Sequence, residues 1–254
     1  MCLTGDGMKT EFEQEIKVLS TQTDHTTRVG LLQGVSLLQD NMCEYFKNIS
    51  CDGPTILPSH NCFFVLAKTK LRFIESPKWL QKIILKSDVS RLTKLRVNIC
   101  HNICDMENKL MIEGLQELCP MDMDTRKPRL INTTPFPVDV EINNSYISTL
   151  EFEKFDEELS YDNLVEKIKV NTNNIDYYGH TNNIEYVKFI ISTIPSSEFY
   201  KMKFKTFEIH YIQESKERDV LDVYCKKSKD NYYFEIKNGN NVVCKAKIEF
   251  DTDV

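Results

Sequence analysis

The apolar residues in the first part of the chain fall at helical spacing. Val29, Leu32, Val35, Leu38, Met42 and Tyr45 recur three or four positions apart, which puts them on one face of a long helix. A second stretch repeats the pattern with Ile184, Val187, Ile190, Ile191 and Ile194. Asn182 or Asn183 is suited to cap its start, and Pro195 ends it. After each helix the pattern changes to short strand-like runs bounded by turn residues. The first set covers residues 62–66, 70–74, 79–88, 95–104 and 110–118. The second covers 203–213, 220–226, 232–237 and 242–250. Residues 105–108 (Asp-Met-Glu-Asn) and 237–240 (Lys-Asn-Gly-Asn) read as hairpin turns.

The chain is also written twice. Residues 15–24 align with residues 167–176 at an offset of 152, and each copy leads into one of the helical patterns. A second echo pairs residues 73–76 with 212–215 at an offset of 139, which implies a shortened loop in the second half. Each half runs strand, long helix, then four or more antiparallel strands. A helix of about 20 residues is roughly 30 Å long, and its apolar face needs a curved sheet to cover it. The expected fold is therefore α+β, a tandem (double) hotdog, each half a long helix wrapped by a curved antiparallel sheet. The expected boundaries are 1–133 for the N-terminal hotdog, 134–162 for a linker and 163–254 for the C-terminal hotdog. Within the linker the acidic run 151–158 reads as solvated.

Composition narrows the function classes. The 254 residues are 41% hydrophobic, enough for a sizeable core, and no run approaches the ~20 apolar residues of a membrane span. The first ten residues lack the features of a signal peptide. Nine cysteines at irregular spacing, with no C-x-x-C pair, fit buried free thiols in a reducing cytoplasm. Cys100, His101 and Cys104 read as strand core, so no metal and no cofactor is expected. A net charge of −6 argues against nucleic acid as a partner. Residues 61–100 nevertheless hold nine Lys or Arg and only two acids, a basic window that suits an acidic partner.

The residues richest in chemistry precede the second helix. Residues 174–186 read Asn-Ile-Asp-Tyr-Tyr-Gly-His-Thr-Asn-Asn-Ile-Glu-Tyr, and residues 211–215 read Tyr-Ile-Gln-Glu-Ser. On their own, Asp176 could be a helix cap, Asn182 and Asn183 turn residues and Glu214 a surface strand residue. The first segment, however, resembles the D-x-N-x-H-V-N-N-x-x-Y motif of the fatty acyl-ACP (acyl carrier protein) thioesterases of plants and bacteria. The second resembles their Y-R-R-E-C segment. Residues 121–129 (Met-Asp-Met-Asp-Thr-Arg-Lys-Pro-Arg) resemble the end of that family's first hotdog, and residues 23–46 its first helix. The resemblance spans nearly the whole chain.

The resemblance implies catalytic roles for Asp176, His180 and Glu214, and substrate-binding roles for Tyr178, Asn182 and Asn183. Tyr178 stands where the motif has Asn, and Ser215 where it has Cys. Arg28 occupies the first-half position equivalent to His180, so the first half is expected to be catalytically silent and to serve the acyl chain and the carrier. The implied reaction is hydrolysis of the fatty acyl-ACP thioester, which releases free fatty acid and ends fatty acid synthesis. Acyl carrier protein is the implied partner, the expected location is cytoplasmic, and a homodimer is allowed. An acyl-CoA thioesterase on the same scaffold and a non-catalytic acyl- or ACP-binding protein are the competing readings. Little chemistry is needed, because a carboxylate can activate water against a thioester whose leaving group is good.

Overall fold

Ten strands form one antiparallel sheet in the computed structural model, which describes residues 10–140, 142, 148–156 and 159–252. The first half supplies β1 (Phe12–Lys17), β2 (Cys62–Phe73), β3 (Lys82–Leu92), β4 (Val97–Cys104) and β5 (Leu110–Asp122). The second supplies β6 (Leu164–Lys169), β7 (Met202–Tyr211), β8 (Val220–Ser228), β9 (Asn231–Asn238) and β10 (Asn241–Thr252). The order β1-β3-β4-β5-β2-β7-β10-β9-β8-β6 is symmetric about the β2–β7 pair, where the halves join. Helix α1 (Leu31–Asn48) precedes a short α2 (Gly53–His60), and α3 (Asn183–Ser192) precedes the single turn α4 (Ser196–Phe199). The starts of α1 and α3 lie 152 residues apart, as do those of β1 and β6. This is the double hotdog arrangement.

The sheet wraps both long helices. Leu31, Val35 and Leu38 of α1 share one core with Val187 and Ile190 of α3 and with Leu71, Phe207, Ile209 and Ile248 of the strands. The far end of α1 sits in a second cluster, where Tyr45 and Phe46 pack with Leu66, Val97 and Leu118. Among the described residues no helix is long and apolar enough to cross a membrane.

Several boundaries differ from the sequence pattern. Val29 lies before α1, because Gly30 is the N-cap. Runs 62–66 and 70–74 are one strand, in which the register shifts between Leu66 and Lys68. That irregularity interrupts the alternation of apolar positions that would have joined them. Residues 79–81 belong to a turn, with Leu80 at φ +63°. Strand β7 stops at Tyr211 because the N–H groups of Ile212 and Gln213 both donate to the carbonyl of Val243. The kink turns the chain away from the sheet two residues before Glu214.

In the acidic segment 151–158 the side chains of Glu151, Glu153, Lys154 and Asp156 are exposed, while the backbone is tied to the sheet; Glu157 and Glu158 lie outside the described residues. Lys70 Nζ donates to the Glu151 carbonyl at 2.9 Å, and Glu153 pairs with both Lys70 and Lys247. Ser148 and Thr149 donate to Glu113, and Leu150 and Leu159 are buried. The basic window is also largely neutralised. Lys82 pairs with Glu15, Lys86 with Glu13, Lys68 and Arg96 with Glu117, Lys70 with Glu208 and Arg72 with Glu113. Cys43, Cys51, Cys62, Cys100, Cys104, Cys119, Cys225 and Cys244 are free thiols; Cys2 lies outside the described residues. Cys100 and Cys104 share one face of β4 while His101 points to the other, as alternation along a strand requires.

Candidate active site

A tight loop runs from Asp176 into α3. The Asp176 carboxylate accepts from the N–H groups of Tyr178 (2.9 Å) and His180 (3.2 Å). The Asp176 N–H donates to the His180 carbonyl at 2.8 Å, and Gly179 N–H to the Asp176 carbonyl at 3.0 Å. Closing this loop puts residue 179 at φ +82°, where glycine carries no steric penalty. Asn182 then caps α3 by accepting from the Ile184 N–H at 3.0 Å. The Asn183 N–H, in the first turn, has no hydrogen-bond partner among the described residues. Ser215, in the place of the motif's Cys, is fully buried, and its hydroxyl bonds Thr181 at 2.7 Å and Tyr186 at 2.8 Å. It fixes the loop against α3.

The loop brings His180 to Glu214. His180 Nε2 lies 3.3 Å from Glu214 Oε2, with the imidazole 12% exposed and the carboxylate 45% exposed. The carboxylate is therefore open to water and the ring largely sheltered.

Sequence reasoning missed the third member of this group. Arg126, from the loop after β5 in the first half, donates to Glu214 Oε2 at 3.0 Å. The same Nη2 lies 3.1 Å from Nδ1 and 2.8 Å from Nε2 of His180. One nitrogen so close to both ring nitrogens cannot point along either lone pair, so it sits over that edge of the ring. The Arg126 backbone has φ +54°, and its guanidinium lies 5.1 Å from the centre of the Phe63 ring. Burial lowers the His180 pKa first of all; Glu214 opposes this and Arg126 adds to it. The imidazole is thus held neutral. Arg126 stands inside the 121–129 segment, so the signal was present, but nothing in the sequence links that segment to His180.

Tyr178 points away from this group. Its ring stacks on Phe63 with centroids 4.7 Å apart and on Tyr177 at 4.0 Å. Its hydroxyl reaches Gly53, where a Cβ would collide with it. His210 is not part of the site; it bonds Glu208 at 2.7 Å and packs on Phe155.

The first half repeats the loop without the chemistry. Asp24 N–H donates to the Arg28 carbonyl, Thr26 N–H to the Asp24 carboxylate, and Thr27 takes φ +58° in the place of Gly179. Arg28, opposite His180 in the repeat, donates to the Ser76 carbonyl at 2.8 Å. Val29 N–H bonds Pro77 O just as Thr181 N–H bonds Ser215 O. That pairing sets the offset here at 138, one less than the sequence echo implied. Ser76, not Glu75, therefore stands where Glu214 stands.

Each half matches its own family model. Residues 9–134 match the acyl-ACP thioesterase N-terminal domain, and residues 157–252 match the acyl-ACP thioesterase C-terminal domain. The chain belongs to the acyl-ACP thioesterase family. This thioesterase is a thioester hydrolase of fatty acyl-ACP. Its fold is similar to that of an acyl-ACP thioesterase from Bacteroides thetaiotaomicron, at 21% identity and a TM-score of 0.81 over 95% of this chain and 98% of that one. A 12:0-ACP thioesterase from Umbellularia californica matches at 16% identity and 0.80 over the whole of both chains. A putative oleoyl thioesterase from Lactobacillus plantarum matches at 14% identity and 0.82 over 95% of this chain and 96% of that one. No match is found among curated proteins.

Proposed function

We propose that this thioesterase has one active site, formed by Asp176, His180 and Glu214 of the second half and Arg126 of the first. The observation that carries this reading is the contact of Arg126 with both His180 and Glu214. Glu214, the exposed carboxylate, takes a proton from water as the water oxygen attacks the thioester carbonyl. The C–S bond breaks, and that proton passes through His180 to the departing sulfur, which leaves free acid and carrier thiol. The Asn183 N–H, at the positive end of α3, faces the developing oxyanion. Asp176 positions His180 through the loop, and Asn182 holds the helix start. Arg126 fixes the Glu214 carboxylate and keeps His180 neutral. Tyr178 binds by shape, as an aromatic wall beside the carrier arm.

The carrier docks, on this reading, on the basic residues that neighbour the site in sequence: Lys127, Lys216 and Arg218. None of their side chains has an acidic partner among the described residues, whereas Lys82 and Lys86 of the basic window have theirs. Lys216 is near enough for its charge to act on His180. A cytoplasmic location is supported by the free thiols. A homodimer contact is assigned to β1 and β6, the two edge strands of the sheet.

Thiol release from matched acyl-ACP and acyl-CoA tests this function. Faster turnover of acyl-ACP is expected. Equal turnover of the two would remove the carrier assignment, and no turnover at any chain length would favour a binding protein.

A further inference from the structure

The end of the molecule at the start of α1 carries apolar side chains that the fold leaves in water. Leu19, Trp79 and Leu80 are each at least half exposed. They come from two loops that run side by side. Val18 N–H donates to the Gln81 carbonyl at 2.9 Å, Leu80 N–H to the Val18 carbonyl at 3.0 Å, and Trp79 N–H to the Thr27 carbonyl at 2.9 Å. Exposed Tyr200 joins the same end by stacking on His25, with ring centroids 4.2 Å apart. Single exposed apolar residues are ordinary, whereas a cluster of them marks a surface that meets something. Leu80 adds a second observation. Its backbone has φ +63°, in the left-handed region where glycine or asparagine fits and leucine is strained. Burial does not offset that strain in the free protein, because the side chain is 53% exposed. A strained residue that the fold does not need points to a use outside the fold.

Cations flank these residues. Lys17 and Lys78 are exposed next to the two apolar stretches, and exposed Lys201 follows Tyr200. None of the three has an acidic partner among the described residues. The acids of the same loops are engaged elsewhere: Glu15 pairs with Lys82, Glu75 with Lys109, and the Asp24 carboxylate accepts from the Thr26 N–H. Indole and leucine side chains set among free ammonium groups match the two layers of a phospholipid surface. The apolar groups suit the acyl boundary, and the ammonium groups suit anionic headgroups. The position is also open. Helix α1 has 18 residues and is roughly 27 Å long. The apolar cluster lies at its N-terminal end, whereas Tyr178, beside the candidate site, reaches Gly53 just past its C-terminal end.

We propose that Leu19, Trp79 and Leu80, with Lys17, Lys78 and Lys201, dock this thioesterase on an anionic phospholipid membrane. The two loops enter the headgroup layer, and no segment spans the bilayer. The free fatty acid released by hydrolysis is apolar and enters the same bilayer, while the carrier stays in water. The docking is independent of which residues carry out hydrolysis.

Trp79 is the single tryptophan of the chain, so tryptophan fluorescence reads this surface alone. The test mixes the full chain with vesicles of phosphatidylcholine, with and without phosphatidylserine. The expected result is a blue shift of the emission and co-sedimentation with the phosphatidylserine vesicles, roughly tenfold weaker on phosphatidylcholine alone and reversed by high salt. Leu80→Asp suits the backbone at φ +63° better than leucine does, so the loop keeps its fold. That variant, and Lys17→Glu combined with Lys78→Glu, should each weaken co-sedimentation by roughly tenfold. Both should leave acyl-ACP hydrolysis in the absence of vesicles unchanged. An unchanged emission with the protein left in the supernatant overturns the proposal and leaves acyl-ACP hydrolysis standing. So does binding that both variants retain. A blue shift that grows with protein concentration in the absence of lipid also overturns it, and assigns the surface to a second copy of the chain.

Discussion

Arg126 and Glu214 stand 3.0 Å apart across the boundary between the two halves. The arginine leaves β5 through a backbone turn with φ +54°, and the glutamate follows the kink that ends β7. Neither half contains this pair alone. The first half therefore contributes a charge to the candidate site.

Arg126→Ala should lower kcat/KM by roughly 10- to 100-fold, the range set by one charge-assisted hydrogen bond of about 1.5–3 kcal/mol. It should also move the pH profile. Burial is the main cause of the low His180 pKa, and the neighbouring cation adds to it. Removing the cation lets the imidazole protonate at higher pH, so the acid limb of kcat/KM should shift upward. A limb that stays in place, measured with the same acyl-ACP, would mean that Arg126 does not act on His180.

Tyr178→Phe should leave kcat close to wild type, because the hydroxyl faces Gly53 and Tyr177, not His180 or Glu214. Tyr178→Ala should instead cost roughly 3 kcal/mol of stability, as the stack on Phe63 is lost. Steady-state kinetics and urea unfolding separate the two effects. A tenfold loss of kcat in Tyr178→Phe would show that the hydroxyl replaces the motif's amide after all.

Charge reversal should locate the carrier. Lys127→Glu, Lys216→Glu and Arg218→Glu together should raise KM for acyl-ACP several-fold and flatten its dependence on salt, because steering between opposite charges is screened within about 8 Å at physiological ionic strength. The same reversal at Lys82, Lys86 and Arg91 should matter less, since Lys82 and Lys86 already have acidic partners. The opposite ranking would return the docking face to the basic window.

His101 should make the fold sensitive to acid. Burial lowers its pKa to about 3 in the folded protein, against 6.5 ordinarily. Between those values the unfolded chain binds a proton that the folded chain does not, so stability is lost as pH falls below about 6.5. The slope from one such group is about 1.4 kcal/mol per pH unit. His101→Gln should remove that slope, read as unfolding free energy at a series of pH values. An unchanged slope would mean that His101 is not kept neutral by the fold.

Much of this architecture is legible in the sequence, because the repeat preserves backbone roles. Asp24 and Asp176 close the same loop, so the 152-residue offset survives even where Arg28 replaces His180. The second echo misleads by one residue, because Glu75-Ser76 resembles Glu214-Ser215 while the hydrogen bonds align Ser76 with Glu214. The split of β2 came from an irregularity near Ala67 that changes the phase of the alternation. The packing of the acidic segment was hidden for a different reason. Its partners, Lys70, Lys247 and Glu208, lie far away in sequence and meet it only once the sheet is built. Arg126 was unreadable on the same ground: no local pattern shows that a loop of one half will touch a histidine of the other.

The claim of one active site in the second half is tested most directly by measuring kcat for acyl-ACP hydrolysis in His180→Ala, Glu214→Gln and Arg28→Ala, with thermal unfolding of each recorded alongside. His180→Ala and Glu214→Gln should each lose at least ~100-fold in kcat while still unfolding cooperatively, as removal of an acid–base group does. Arg28→Ala, which forfeits the bond to the Ser76 carbonyl, should stay within a few-fold of wild type. Wild-type kcat in Glu214→Gln, or a loss in Arg28→Ala equal to that in His180→Ala, would contradict it.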